Sequence, residues 1–158
     1  MRSFICSWIV QMIIPNDVFF SHILNEINDG KSVRIPSKGN SMLPLIRPEV
    51  DEIELSPISE NSIQKGNILL AVINNNYYVI HRAEKISSEK ITLRGDGNIK
   101  KREICPTDSV IAEVTCIYRG NKRVTKSSLI WKIMRFCWFK SPLLRRIYLG
   151  LYRRIRQK

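Results

Sequence analysis

A mainly β domain with helices confined to its two ends is what this sequence predicts, on three observations. Between Val33 and Tyr118 short apolar runs alternate with turn residues: SVRIP, DEIEL, NILLAVI, YYVIHRAEKI, KITLRG and SVIAEVTCIYRG. Apolar residues at helical spacing occur only outside that region, at 17–29 and 127–156. The chain has 158 residues, 44% of them hydrophobic and 25% charged, enough for one domain that needs no staple.

Taken in order, residues 4–14 (FICSWIVQMII) follow Arg2 and are mostly apolar. The run is shorter than the ~20 residues of a spanning helix. Pro15-Asn16-Asp17 breaks it, and no A-x-A cleavage site follows as in a secretory signal peptide. Translation from Met12 is a third reading of this stretch. Residues 17–29 predict a helix with Asp17 as N-cap, Phe20, Ile23, Leu24 and Ile27 on one face, and Gly30 as its end. His22 is an ordinary residue of that helix. The strands follow, with Asn74-Asn75-Asn76 as a hairpin turn. Residues 127–156 return to helix: Trp131, Met134 and Trp138 form one stripe, and Leu144, Tyr148, Leu151 and Ile155 a second after Pro142. The organisation expected is an N-terminal apolar segment and helix (1–32), a β core (33–120) and a basic amphipathic helical tail (121–158).

Charge is divided unevenly. Residues 1–113 hold 13 Lys+Arg and 14 Asp+Glu, whereas residues 114–158 hold 13 Lys+Arg and no acid. A neutral body therefore carries a strongly basic tail, which points to an anionic partner or a solvated face. Cys6, Cys105, Cys116 and Cys137 show no C-x-x-C spacing, and the two histidines, His22 and His81, are far apart. Reduced, packed thiols are expected, with no metal and no cofactor.

Three segments stand out together: Gly39-Asn40-Ser41-Met42-Leu43-Pro44, then Lys65-Gly66-Asn67-Ile68-Leu69-Leu70, then Tyr78-Val79-Ile80-His81-Arg82 running on to Gly95-Asp96-Gly97-Asn98. Each is common alone: a lone serine is usually a turn residue and a lone strand histidine a packed one. In this order and spacing they resemble the signal-peptidase/LexA-like serine peptidase superfamily, whose members carry an S-M-x-P box, a G-D strand box, a base on the next long strand and a G-D-N-like box. Val79-Ile80-His81-Arg82 resembles the histidine subtype found in archaeal and endoplasmic-reticulum signal peptidases. The resemblance covers about residues 33–118.

It implies a LexA/signal-peptidase-like compact antiparallel β domain and a serine endopeptidase acting on a peptide or leader sequence. By that resemblance Ser41 is the nucleophile and His81 the general base. A serine hydroxyl needs a base within reach, and imidazole titrates near neutrality, so it can take the proton and return it to the leaving amine. Gly39 and Asn40 would let backbone amides approach the scissile carbonyl as an oxyanion site, and Met42 would form an apolar wall of the substrate-binding site. Asp96 is the candidate to orient the imidazole. The histidine subtype usually has a further acid about six residues on, where this chain has Arg102 followed by Glu103, so Asp96, Glu103 or neither fills that role. Arg82 is read as a strand-end residue, facing solvent or paired with an acid. Asn67 replaces the usual aspartate of the second box, where it supports a turn. Lys38-Gly39-Asn40 is closer to the LexA-type box, and leaves the oxyanion site without the hydroxyl of many signal peptidases.

The alternative reading is a non-catalytic or self-cleaving LexA-like regulatory protein. No Ala-Gly or Cys-Gly bond is present for self-cleavage, and the first 32 residues, with one clear helix, are too few for a repressor's DNA-binding module. The tail admits three partners: an anionic membrane surface through residues 127–158, the protein's own body, or nucleic acid, the last least favoured. With no clear spanning segment, a cytoplasmic or membrane-peripheral location is expected.

Overall fold

The computed structural model describes residues 16–74 and 77–136, together with Arg146, Ile147, Gly150 and Arg154. Helix α1 (Asn16–Asn28) leads into eight strands: β1 (Val33–Pro36), β2 (Asp51–Pro57), β3 (Ile68–Ile73), β4 (Tyr77–Ile86), β5 (Lys90–Arg94), β6 (Glu103–Pro106), β7 (Val110–Arg119) and β8 (Lys122–Thr125). Helix α2 (Leu129–Phe136) follows. The strands form one antiparallel sheet in the order β1-β2-β7-β3-β4-β5-β6, with β8 paired to β7. The sheet curls into a half-barrel.

Two apolar clusters hold it. Strand β3 explains why: its side chains alternate between faces, and both faces are covered. Ile68 and Leu70 join one cluster with Ile23 and Ile27 of α1, Ile53 and Leu55 of β2, Val114 and Ile117 of β7, and Trp131 and Met134 of α2. Leu69 and Ala71 join the other, with Val79, Ala83, Ile91 and Leu93. Hence ILLAVI is a continuous apolar run rather than an alternating one. Each fully buried Leu or Ile in these clusters contributes about 1.5–3 kcal/mol. On β2, by contrast, Ile53 and Leu55 point inward while Glu54 faces out and bonds Thr115 and Tyr118.

Six of the strands coincide with the six apolar runs. Two were not legible, β6 and β8, each of four residues. Asn16, the first described residue, is already helical, so Asp17 lies within helix α1 rather than at its N-cap. Its exit is as expected: the Gly30 N–H donates to the Ile27 carbonyl (3.0 Å). Strands β3 and β4 pair as a hairpin, Ile73 opposite Tyr77; Asn75 and Asn76 of its turn lie outside the described residues. Cys105 and Cys116 are free, buried thiols, while Cys6 and Cys137 lie outside the described residues. So do residues 4–14, the Trp138 end of the first tail stripe, and Leu144, Tyr148, Leu151 and Ile155 of the second. Among the described residues no helix is long and apolar enough to cross a membrane.

Candidate active site

Ser41 lies in the turns between β1 and β2, and that loop is pinned at its base. The Asp51 carboxylate accepts from Arg119 Nε (2.8 Å) and Nη2 (2.7 Å) and from the Arg47 N–H (2.8 Å). Arg119 also donates to the Leu45 carbonyl (2.9 Å). Met42 is buried in the first cluster, so the residue after Ser41 anchors the loop in the core. Gly39, two residues before Ser41, sits at φ +78, a left-handed turn that favours glycine.

The Gly95–Asn98 turn closes on this loop from the other side. The Gly97 N–H donates to the Ser41 carbonyl (2.7 Å). There is no room for a side chain at either glycine. A Cβ at Gly95 would lie 2.4 Å from the Ser41 carbonyl oxygen, and one at Gly97 2.5 Å from that of Asn40. The same point beside Gly95 is 3.1 Å from His81 Nε2, so the Ser41 backbone and that ring nitrogen adjoin.

His81, in the middle of β4, is 5% exposed. Its other ring nitrogen, Nδ1, lies 2.9 Å from Glu103 Oε2. The register accounts for the contact: Ala83, Leu93 and Glu103 form one cross-strand row over β4, β5 and β6, and His81 is one pleat along on the same face. A carboxylate accepting from Nδ1–H fixes the tautomer whose Nε2 lone pair is free to take a proton. Burial pushes the imidazole below its ordinary 6.5, against the charge and hydrogen bond of Glu103, which pull it up. Lys101, whose Nζ is 3.3 Å from Glu103 Oε1, adds to the lowering. The ring is thus held neutral at pH 7, the form a base needs.

Asp96, the expected orienter, is engaged elsewhere. Its oxygens accept from Arg82 Nε (2.8 Å) and Nη2 (2.6 Å), with both side chains fully buried. Arg82 Nη1 donates to the Gly66 carbonyl (2.8 Å). This pair therefore ties the turn before β3 to the Gly95–Asn98 turn, and Asp96 acts on His81 through its charge. Arg82 is a buried mid-strand residue paired with an acid, not a solvent-facing one. Asn67 does support a turn: its Nδ2 donates to the Asn61 (3.2 Å) and Ser62 (2.9 Å) carbonyls.

Ser41, half-buried, and His81 line one groove of about 900 Å³ together with Gly39, Asn40, Met42 and Asn98. The structure thus brings together every residue expected at the site except Asp96, which sits one shell behind. Glu103, the second choice from sequence, holds the Nδ1 position. Its signal was an inverted strand: in Glu103-Ile104-Cys105-Pro106 the glutamate points in and Ile104, 62% exposed, points out. Among the described residues no group of three His, Cys, Asp or Glu could hold a metal ion. No protein-family model matches the chain, and no curated sequence is significantly similar to it.

Proposed function

We propose that this protein is a serine endopeptidase of the signal-peptidase/LexA-like type, cleaving a peptide or leader sequence through Ser41 and His81. The observation that carries the reading is the buried Glu103–His81 pair, which leaves Nε2 beside the Ser41 segment in an open groove. In the cycle His81 takes the hydroxyl proton as Ser41 attacks the scissile carbonyl. Glu103 stabilises the imidazolium that forms. The proton passes to the leaving amine, and water then hydrolyses the acyl-enzyme by the same route. Backbone amides of the Gly39–Ser41 turn, which lines the same groove, would serve the oxyanion.

The test compares wild type, Ser41→Ala and His81→Ala on a peptide library read by mass spectrometry, with the intact mass of the protein recorded in parallel. Multiple-turnover cleavage by wild type alone is expected. Identical peptide profiles for all three would reject the enzyme, and a single cleavage within the chain itself would favour the self-cleaving alternative.

We further infer that the tail rests on an anionic lipid surface, at the periphery of a membrane. Helix α2 turns Trp131 and Met134 into the core and leaves Leu129, Ile133 and Phe136 on its outer face, exposed. From residue 114 onward the sequence holds 13 basic residues and no acid. An apolar ridge within a wholly basic segment is complementary to anionic head groups.

A further inference from the structure

The lining of the groove has a chemistry of its own, distinct from that of the reacting pair. Much of its lining is apolar and aromatic, and α1 contributes Phe19 and Phe20 to it. Phe20 stacks on Tyr78 of β4, centroids 4.1 Å apart and planes at 10°, and Phe19 meets Phe20 edge-on at 5.5 Å. Met42 and Ile46 of the nucleophile loop face the same space. A volume of about 900 Å³ accommodates several residues, including a large side chain.

The charged part is of one sign. Among the described residues lining the groove the only charged side chains are Lys38 and Lys101, and no aspartate or glutamate joins them. Lys38 stands three residues before Ser41, and Lys101 on the His81 side. Lys101 Nζ lies between Glu103 Oε1 (3.3 Å) and the Tyr77 ring (5.8 Å from its centroid). Its side chain is 66% exposed, which leaves Lys101 reachable from the groove, while Glu103 offsets part of its charge. Lys38 is exposed and makes no ion pair with a described residue. A cleft with cations on both walls and apolar sides concentrates anions and repels cations.

We propose that the groove selects extended peptides that combine a large apolar side chain with an acidic residue close to the scissile bond, with Lys38 and Lys101 as the specificity residues. The term scissile rests on the endopeptidase reading; the preference itself is a property of binding and is measurable without turnover.

The experiment uses the Ser41→Ala protein and fluorescein-labelled decapeptide pools with a central Phe-Glu, Phe-Gln, Phe-Lys or Ala-Glu pair, the other positions being mixtures of Ala, Ser and Gly. Binding is read by anisotropy. The Phe-Glu pool is expected to bind about fivefold tighter than Phe-Gln at low salt, as partly exposed ion pairs allow. The advantage shrinks in high salt, and Ala-Glu binds more weakly than Phe-Glu. Adding Lys38→Glu and Lys101→Glu, both exposed positions, is expected to turn the preference to Phe-Lys while circular dichroism is unchanged. Equal affinities for the Glu, Gln and Lys pools, no binding of any pool, or a Glu preference that survives both substitutions would overturn the proposal. Failure of the endopeptidase reading looks different: the Phe-Glu pool is bound as expected, yet the protein with Ser41 intact leaves it uncut.

Discussion

Glu103 and Asp96 are two buried carboxylates within the reach of one histidine's field, and their partners give them different tasks. Glu103 accepts from His81 Nδ1, whereas Asp96 neutralises a guanidinium that has no access to water. Substitutions should separate the two. Glu103→Gln removes the anion that stabilises the imidazolium and replaces an acceptor-only carboxylate with an amide that can also turn an N–H toward Nδ1, so the tautomer is no longer fixed. On the proposed endopeptidase reading, turnover is expected to fall by about 10²–10⁴-fold, the usual worth of positioned acid–base catalysis. The pH profile adds a sign. With His81 as the base, burial is expected to set the acid limb of that rate below the ordinary imidazole range, and because Glu103 pulls the imidazole upward, Glu103→Gln is expected to move the limb further down. Asp96→Asn instead leaves Arg82 as an uncompensated buried charge, costing about 3–5 kcal/mol. Thermal melts and pH–rate profiles of both variants check this. A Glu103→Gln protein with an unmoved limb, or an Asp96→Asn protein that melts like wild type, would show the tasks misassigned.

Elements were legible where their polarity followed their geometry. Alternating runs marked β2, a continuous run marked the doubly covered β3, and turn residues separated them. Strands β6 and β8 were hidden because four residues carry little pattern, and β6 presents its charge inward. Arg82 was hidden for a different reason: its burial depends on Asp96, fourteen residues on, and on how the Gly95–Asn98 turn folds back. Within the site, Ser41, His81, Gly39, Asn40 and Met42 were readable because they belong to local boxes. The Glu103 contact was readable only as one of the alternatives that the resemblance left open, since the choice depends on register across three strands. The Gly95–Asn98 turn illustrates how one element sets another. Its glycines let the Ser41 and Asn40 carbonyls approach, so Gly95→Ala must push the Ser41 segment away. A loss of at least tenfold in kcat/KM is expected, because a shift of about 1 Å already costs more than that. Single-turnover assays on Gly95→Ala and Gly150→Ala, the latter with nothing within 4 Å of an added Cβ and no positive φ, make the comparison; equal rates would remove the turn from the argument.

For the whole molecule, the decisive feature is the separation of a neutral body from a tail that is basic throughout. Packing divides α2 between the two. Trp131, 1% exposed, and Met134 bind the helix to the core, so its orientation is fixed, and its opposite ridge is left with Leu129 (74% exposed) and Phe136 (64% exposed). Such a ridge costs free energy in water and gains it in an interface. Transfer of a large apolar side chain contributes about 1.5–3 kcal/mol, and each basic residue near an anionic surface about 1 kcal/mol. Two consequences follow for vesicle flotation. Binding is expected on anionic vesicles but not on zwitterionic ones, and to weaken as salt rises, because the electrostatic part decays within a Debye length. Leu129→Ser with Phe136→Ser is expected to weaken binding by about a hundredfold, equivalent to ~2.7 kcal/mol. The fold should persist, since neither side chain enters the core. Retained binding in that double variant would leave charge alone as the cause, and equal binding to neutral vesicles would leave the basic tail without a role. On the endopeptidase reading, loss of peptide cleavage in the variant, measured free of lipid, would instead mean that α2 serves the candidate site, to which Arg135 Nη2 connects it through the Lys65 carbonyl (3.2 Å), next to the Gly66 that Arg82 holds.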